Sequence, residues 1–381
     1  MNRVISLFLF LVLISCTNKN SLQVTVTNSS SSDRTNEIIE LPYTAINLKM
    51  QDKSFIITDP NGKQIPYQIT YDQKLIFPAN VTENSKVTYS IKEGTPEEYK
   101  SFVYGQLYPE RVDDIAWEND RIAFRTYGPA LQATGEKAYG FDIWVKRVPE
   151  LVVKERYRKE LEDKISYHND NGNGLDYYKV GPTLGAGTPA LFVNDTIAYP
   201  YCYKAFEIMD NGPLRFTVQL TYNPLSINNN QNVIEHRTVS LDAGMQLNRI
   251  TVSYENLNET LPVVAGIVLH EPSEEFVADK DAGYIAYADP ADPKNGQTYI
   301  ATVFPAKLQD AKAIHFSDKE KAERGANGHL LGFSEYKPGE KFTYYAGAGW
   351  SKWGFETPAD WFNYVKDLSV QLKEPLEVSY K

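Results

Sequence analysis

The densest group of side chains that could do chemistry lies between positions 111 and 128. In this segment, RVDDIAWENDRIAFRTYG, acidic and basic residues are interleaved with aromatic ones. A strand that begins near Arg121 would point Arg121 and Arg125 to one face, where two guanidinium groups form a fork suited to a carboxylate or a sulfate. A set of Asp–Arg pairs that stabilises a domain junction is the alternative. The candidate binding residues of this segment are Arg111, Asp114, Glu118, Arg121, Arg125 and Tyr127.

Two histidines are candidates for acid–base chemistry near neutral pH. His168 lies in a Gly/Asn-rich stretch, residues 167–179, and loops of this kind on a sheet scaffold often present functional groups. His270 follows the apolar segment 261–269 and could meet His168 across a groove. A lone loop histidine is more often structural than not, so a structural role stays open.

The loop that carries His168 also begins like a calcium-binding loop. Residues 169–173 alternate Asn with other residues, but the twelfth position of the motif is Val180 where a bidentate Glu is needed. The EF-hand interpretation therefore fails. A looser structural cation site near Asp170 and Asp176 is left open, and no other metal or cofactor is expected.

Aromatic residues accompany polar or small ones in two further segments. In residues 141–146, FDIWVK, strand periodicity puts Asp142, Trp144 and Lys146 on one face. Trp350 lies in the small-residue stretch GAGWSKW. A platform for a sugar ring and a packed core edge are equally compatible with Trp350.

The elements that must position these residues are mostly strands. Among 381 residues, 13% are aromatic, and 23 Gly and 21 Pro supply turns, a composition that favours a β-rich fold. Residues 22–95 are predicted to form a small N-terminal β-sandwich. Residues 100–381 are predicted to form a larger unit of two antiparallel sheets packed face to face. Helices are predicted only over 149–164 and after Thr357, where a capping box precedes Pro358.

The charge balance excludes one class of partner. The formal net charge is −10 and the isoelectric point is near 5.2, which argues against a nucleic-acid partner. A small anionic ligand held by a local basic cluster remains compatible with this charge. The chain lacks the Gly-x-Ser-x-Gly, P-loop, His-Glu-x-x-His and dinucleotide-binding patterns.

The N-terminal residues predict export and lipid anchoring. The apolar run 4–14 is too short to span a membrane comfortably and is typical of a signal peptide. The tetrapeptide LISC resembles a bacterial lipobox, so we expect a signal peptide over 1–15, a lipidated Cys16 and a polar tether over 16–21. The expected location is the cell envelope of a Gram-negative bacterium, in the periplasm or on the outer membrane. An ordinary signal peptide with an incidental Cys16 is the alternative. Cys202 then has no partner for a disulfide.

Five segments, taken in order, resemble domain-of-unknown-function family 4861. They are residues 111–128, 139–147 (YGFDIWVKR), 167–181 (YHNDNGNGLDYYKVG), 211–215 (NGPLR) and 347–353 (GAGWSKW). The resemblance implies an all-β fold, a galactose-mutarotase-like β-supersandwich preceded here by the small β-sandwich. It also implies a protein of polysaccharide-utilisation systems, in a family linked to dehydration of uronic-acid-containing oligosaccharides.

Chemistry beside a uronic carboxylate needs a cation, a base and an acid. We therefore predict a carbon–oxygen lyase, specifically a dehydratase, that acts on acidic oligosaccharides. The predicted catalytic residues are His168, His270 and Lys146. The predicted substrate-binding residues are Arg111, Asp114, Glu118, Arg121, Arg125, Tyr127, Trp144, Asp176 and Trp350.

Two other functions fit the same residues. A glycoside hydrolase would use paired carboxylates such as Asp114 and Asp176. A non-catalytic carbohydrate-binding lipoprotein would need only the arginines and the Trp-rich loop. Its histidines would then be incidental.

Overall fold

The computed structural model describes residues 21–271 and 275–381. The predicted signal peptide and Cys16 lie outside the described residues. Within these two ranges, no helix is long and apolar enough to cross a membrane.

Strands dominate the chain from end to end. Their bounds are β1 Ser21–Asn28, β2 Arg34–Pro42, β3 Phe55–Thr58, β4 Gln64–Ile65, β5 Gln68–Ile69, β6 Lys74–Val81, β7 Ser85–Glu93, β8 Val103–Tyr108, β9 Asp114–Asn119, β10 Ala123–Thr126, β11 Asp142–Lys146, β12 Gly174–Asp176, β13 Ala186–Val193, β14 Thr196–Ala198, β15 Tyr203–Asn211, β16 Arg215–Tyr222, β17 Leu225–Ile227, β18 Asn230–Asp242, β19 Leu247–Glu255, β20 Leu261–Leu269, β21 Phe276–Asp279, β22 Tyr284–Ala288, β23 Thr298–Val303, β24 Asp310–His315, β25 Gly328–Tyr336, β26 Phe342–Trp350 and β27 Glu377–Tyr380. The α-helices are α1 Tyr43–Met50, α2 Pro129–Ala133, α3 Val153–Arg158, α4 Asp318–Arg324 and α5 Pro358–Lys373. A 3-10 turn spans Pro109–Arg111, and a π-helical turn, Lys159–Asp163, continues α3.

The N-terminal strands form a small two-sheet unit. One sheet has the order β27-β1-β7-β3-β4 and the other the order β2-β6-β5. Strand β1 alternates, so Leu22, Val24 and Val26 point into the core while the residues between them do not. The last strand, β27, pairs antiparallel with β1, which brings the C-terminal residues back to this unit.

The large unit is built from three antiparallel sheets around one core. The longest sheet runs β15-β16-β18-β19-β26-β23-β22-β21, and β17 pairs with β18. The other two have the orders β12-β11-β10-β9-β8 and β14-β13-β20-β25-β24. A single hydrophobic cluster takes side chains from all three, including Trp117, Ile267 and Tyr344. The all-β prediction of large antiparallel sheets packed over a shared core is therefore confirmed.

Both predicted helical segments contain helix, one of them in a shorter form. Thr357 starts α5 with the predicted capping box: its Oγ1 accepts from the Asp360 amide at 3.3 Å, and the Asp360 carboxylate accepts from the Thr357 amide at 2.9 Å. The segment 149–164 becomes helical only at Val153. Its α-helical part, α3, ends at Arg158 and covers six residues, and the π-helical turn follows it. This short helix lies over the five-stranded sheet β8–β12, where the candidate site is found.

Candidate functional site

The outer face of the sheet β8–β12 carries the charged side chains. Strand alternation sends apolar residues such as Trp117 and Ile143 into the sandwich core, and polar residues to the other face. Register then makes these polar residues neighbours, since Arg125 pairs with Asp142 and Trp144 pairs with Asp176. An aromatic layer covers them: Tyr108, Trp144, Tyr157 and Tyr167.

Arg125 is surrounded by three carboxyl groups. Its Nε donates to Asp142 Oδ2 at 2.8 Å, and its Nη2 donates to Asp142 Oδ2 as well and to Asp176 Oδ2 at 3.0 Å. Asp114 Oδ2 lies 3.7 Å from Nη1. The Tyr127 hydroxyl donates to Asp142 Oδ2 at 3.2 Å. We call Asp114, Asp142 and Asp176 the carboxylate cluster.

Burial raises the pKa of two carboxyl groups of this cluster, Asp114 and Asp176. All three carboxyl groups are buried, and a low-dielectric site disfavours three negative charges around one positive charge. Burial raises the pKa of Asp114 to about 6, against the attraction of Arg125 and Arg111. Burial, and then the charge of Asp142, raise the pKa of Asp176 well above its usual value. In addition, Asp114 Oδ1 is buried and accepts no hydrogen bond from the described residues.

Three side chains connect the buried cluster to the surface. His168 is 57% exposed, and its Nδ1 lies 2.9 Å from the Asp176 carbonyl and 3.8 Å from the Asp176 carboxylate. The Nη2 of Arg111, a partly buried residue, donates to the Tyr167 hydroxyl. Tyr127 is also partly exposed. A ligand in solvent would therefore meet Arg111, Tyr127 and His168 first.

Several of the predicted residues converge at this place. The structure brings together Arg111, Asp114, Arg125, Tyr127, Trp144, His168 and Asp176. Trp144 packs against the cluster, and neither face of its ring is free to bind a sugar. It is buried, the Arg125 guanidinium lies 5.2 Å from its ring centre, and Tyr167 stacks on it at 4.6 Å.

The fork expected from Arg121 and Arg125 does not form. Arg121 lies in the turn before β10, where Asn119 Oδ1 accepts from its amide at 2.8 Å, so it does not share a strand face with Arg125. Its side chain is 45% exposed and lies 3.6 Å from Asp120. Arg111, which acts electrostatically on Asp114 as Arg125 does, is the second cation of the site instead.

Lys146 and Glu118 form a buried pair under the start of α3. Lys146 Nζ donates to Glu118 Oε2 at 2.7 Å and to the Asn119 carbonyl at 2.6 Å. The Glu118 carboxylate also accepts from the amides of Val152 and Val153, at 2.9 and 2.7 Å. Because the Lys146 side chain is 0% exposed, the pair positions α3 and does not meet a ligand in this conformation.

Among the described residues, His270 and Trp350 form no hydrogen bond or ion pair with this cluster, and they contact other groups. His270 Nδ1 is 2.7 Å from Asp289 Oδ1, and Nε2 is 2.6 Å from the Lys179 carbonyl. Both neighbours are acceptors, so the ring is best satisfied when doubly protonated. Burial lowers the pKa of His270, but the Asp289 carboxylate outweighs it and the pKa is raised. Trp350 is 2% exposed and donates to the Asn295 carbonyl at 2.8 Å.

The carboxylates of the expected cation site face guanidinium groups. Asp170 accepts from the amides of Gly172 and Gly174, both at 3.0 Å, and pairs with Arg147 at 2.9 Å. Asp176 pairs with Arg125. In the ranges that the structure describes, no group of three His, Cys, Asp or Glu residues is placed to hold a metal ion.

Sequence reasoning did not assign a site role to Asp142, Tyr157 or Tyr167. Asp142 makes the closest contacts with Arg125, and the Tyr157 hydroxyl lies 3.4 Å from Asp114 Oδ2. Strand periodicity did place Asp142 on the polar face of its strand. Its position opposite Arg125 depends on strand register, which periodicity does not specify.

Comparison with known proteins identifies the family. The model of the family described as "Domain of unknown function (DUF4861)" matches residues 26–378, so the chain belongs to this family, as its motifs predicted. A relative from Formosa agariphila, described as "Uncharacterized protein P7", is 28% identical over 377 residues, covering 93% of this chain and 92% of the relative.

Two solved structures share the fold. An alpha-mannosidase from Enterococcus faecalis V583 superposes with a TM-score of 0.54 at 10% identity, over 95% of this chain and 46% of that one. A glycosyl hydrolase family 38 protein from Enterococcus faecalis gives 0.53 at 10% identity, over 96% and 48%. The chain thus spans about half the length of these structures. At this identity the likeness establishes the fold.

Proposed function

We propose that this chain is a carbohydrate-active enzyme that breaks a carbon–oxygen bond in an acidic oligosaccharide by acid–base catalysis. The observation that carries the proposal is the placing of His168, Arg111 and Tyr127 above the buried carboxylate cluster. His168 and Arg111 both contact Tyr167, so an exposed imidazole could exchange a proton with a sugar while the guanidinium holds an acidic substituent. The predicted lipid anchor at Cys16 and the cell-envelope location belong to the same proposal.

In the proposed site, each group has one task. His168 is the catalytic residue that gives or takes a proton, and Asp176 positions its ring. Arg111 binds the carboxylate or sulfate of the sugar, and the Tyr127 oxygen accepts from a sugar hydroxyl. Asp114 and Asp142 position Arg125 and set the local charge, because both are buried beneath the other groups.

Hydrolysis is the reaction that the comparisons favour. The two solved structures with this fold are described as an alpha-mannosidase and a glycosyl hydrolase family 38 protein. In hydrolysis, water adds across the glycosidic bond, and the departing oxygen takes a proton from the enzyme. Paired carboxyl groups are the usual means for this chemistry, and Asp114 and Asp176 both have a pKa above the ordinary value.

Elimination is the second candidate, favoured by the cation beside the exposed histidine. His168 would remove the proton from the carbon next to the uronic carboxylate, and Arg111 would stabilise the charge that develops. The departing hydroxyl would then take that proton from His168 and leave as water, and a carbon–carbon double bond would form. This is the dehydration that the family resemblance implies.

Mass spectrometry of acidic oligosaccharides incubated with the purified chain separates these reactions. Shorter products with added water indicate hydrolysis, and loss of one water without shortening indicates elimination. We expect His168→Gln to lower kcat by about 100-fold with substrate affinity kept, while His315→Gln, an exposed histidine elsewhere, serves as the control. No product across a broad oligosaccharide panel would contradict the proposal and favour a binding protein.

A further inference from the structure

We propose that Tyr139, Tyr199, Tyr201, Lys179 and Arg324 form a second sugar-binding subsite that takes an anionic sugar unit of the same oligosaccharide. We call these five residues the tyrosine–cation patch. This inference deepens the proposed function and rests on it for the identity of the oligosaccharide. The shared chemistry of the ligand is a pyranose ring with a carboxylate or a sulfate.

The aromatic half of the patch is open to solvent. The ring centre of Tyr139 lies 5.0 Å from that of Tyr201 and 5.5 Å from that of Tyr199. Tyr201 is 42% exposed, and Tyr139 and Tyr199 are partly exposed. Adjacent tyrosine rings at a surface give a sugar both an apolar ring face and hydroxyl groups.

The cationic half consists of Arg324 and Lys179, and the carboxylate that acts on Arg324, Glu320, is hydrogen-bonded to Ser317. The Arg324 guanidinium lies 4.5 Å from the Tyr199 ring centre, and its Nε is buried without a hydrogen-bond partner among the described residues. Lys179 is exposed, and its Nζ lies close to Gly325, the residue after Arg324. A Cβ added to Gly325 would lie 2.7 Å from the Lys179 Nζ. Across residues 21–271 and 275–381, neither cation makes an ion pair with a carboxylate. On a chain of net charge −10, two neighbouring unpaired cations favour an anionic ligand.

Hydrogen bonds hold the segments that carry the patch, and one of them reaches the backbone of the candidate site. The Lys179 carbonyl accepts from His270, and the Tyr139 amide donates to the Gly181 carbonyl at 3.4 Å. Tyr203, two residues after Tyr201, donates its hydroxyl to the Asp113 carbonyl at 2.6 Å, next to Asp114. The Tyr203 hydroxyl therefore ties the segment that carries Tyr201 to the backbone beside Asp114.

Isothermal titration calorimetry on the purified full chain tests the subsite. The probes are trigalacturonate, its carboxyl-reduced neutral counterpart and a sulfated carrageenan tetrasaccharide. We expect Lys179→Gln and Tyr201→Ala each to weaken binding of a charged probe by about tenfold, and added salt to weaken it further. The neutral probe should bind more weakly and be insensitive to Lys179→Gln. The two charged probes distinguish a carboxylate ligand from a sulfate ligand.

Matched controls come from exposed residues of the small N-terminal unit. Tyr71 is 44% exposed, close to the value for Tyr201, and Lys86 is an exposed lysine, so Tyr71→Ala and Lys86→Gln should leave affinity unchanged. Equal binding of charged and neutral probes, unchanged affinity in the patch variants, or no binding of any probe would each overturn the inference.

The two proposals fail in different ways. If the wild-type chain turns over an oligosaccharide but the patch variants keep its KM and affinity, the subsite is wrong and the function stands. If no turnover occurs but Tyr201→Ala and Lys179→Gln weaken binding, the subsite proposal stands and the proposed catalytic function is wrong.

Discussion

Arg125 is the residue around which the candidate site is organised. A single guanidinium contacts Asp142 and Asp176 and lies near Asp114, and all four side chains are buried. Burial penalises each uncompensated negative charge in such a group. It therefore raises the pKa of Asp114 and of Asp176, the carboxyl group that lies near His168.

The raised pKa of Asp114 predicts how the stability of the folded chain depends on pH. Its pKa is about 6 in the folded chain, above its ordinary value of 3.8. The folded state thus binds this proton more tightly, so the stabilisation is present below the ordinary pKa and is lost as pH rises through about 6. We expect the free energy of unfolding of the Asp114→Asn variant, relative to that of wild type, to rise by up to about 3 kcal/mol between about pH 4 and pH 7.5.

Urea unfolding of wild type and of the Asp114→Asn variant at about pH 4 and about pH 7.5 measures this change in the free energy of unfolding. Asp195→Asn, which alters an exposed loop carboxylate, is the control. If the stability difference between the Asp114→Asn variant and wild type is equal at both pH values, the raised pKa is contradicted.

At the scale of elements, the short helix α3 depends on a residue from another element. Six α-helical residues, continued by one π-helical turn, are too few for an isolated helix to be stable in water. Glu118, on strand β9, accepts from the amides of Val152 and Val153 and also from Lys146. The Glu118–Lys146 pair therefore sets the position of α3, and α3 in turn carries Tyr157 over the carboxylate cluster.

Removal of Glu118 should loosen α3. Glu118→Ala leaves the Lys146 ammonium buried without its carboxylate and exposes unsatisfied amides, a change that costs about 3–5 kcal/mol of stability. We expect hydrogen exchange of the α3 amides to accelerate. Glu155→Ala, on the exposed side of the same helix, should have little effect, because surface ion pairs contribute little. Unchanged exchange in the Glu118 variant would show that α3 is held by other contacts.

At the scale of the whole molecule, a buried polar junction ties the small unit to the large one. Arg215, on β16, donates to Glu40 Oε1 at 2.7 Å and pairs with Asp242 on β18. Gln68 Oε1 accepts from the amides of Leu214 and Arg215, at 2.9 and 2.8 Å. Burial raises the pKa of Glu40, but Arg215, Lys74 and Arg249 outweigh it and lower that pKa to about 2. The two units should therefore unfold together.

Loss of Arg215 should uncouple them. We expect Arg215→Gln to give two transitions in differential scanning calorimetry where the wild type gives one, because it removes the cation that Glu40 and Asp242 share. Arg249→Gln is the control, because this residue is partly exposed and makes a single, longer contact with Glu40, at 3.2 Å. A single transition of wild-type shape in the Arg215 variant would contradict the coupling.

Local patterns in the sequence were sufficient for the fold class and for single elements. The alternation of Val24 and Val26 indicates a strand with one buried face, and the Thr357–Asp360 capping box indicates where α5 begins. These signals act within a few residues, because they depend on strand pleat and on the unpaired amides of a helix end. The family motifs, taken in order, were likewise enough to identify the family.

The composition of the candidate site was decided by tertiary structure. Arg125 meets Asp142 through strand register and meets Asp176 from 51 positions away, while Arg121, four positions from Arg125, is turned aside by Asn119. Lys146 and Glu118 have residue types suited to binding a sugar, yet they lie buried under α3. Sequence spacing states which faces residues occupy within one element. Which faces meet, and which are covered, depends on long-range packing that no short segment contains.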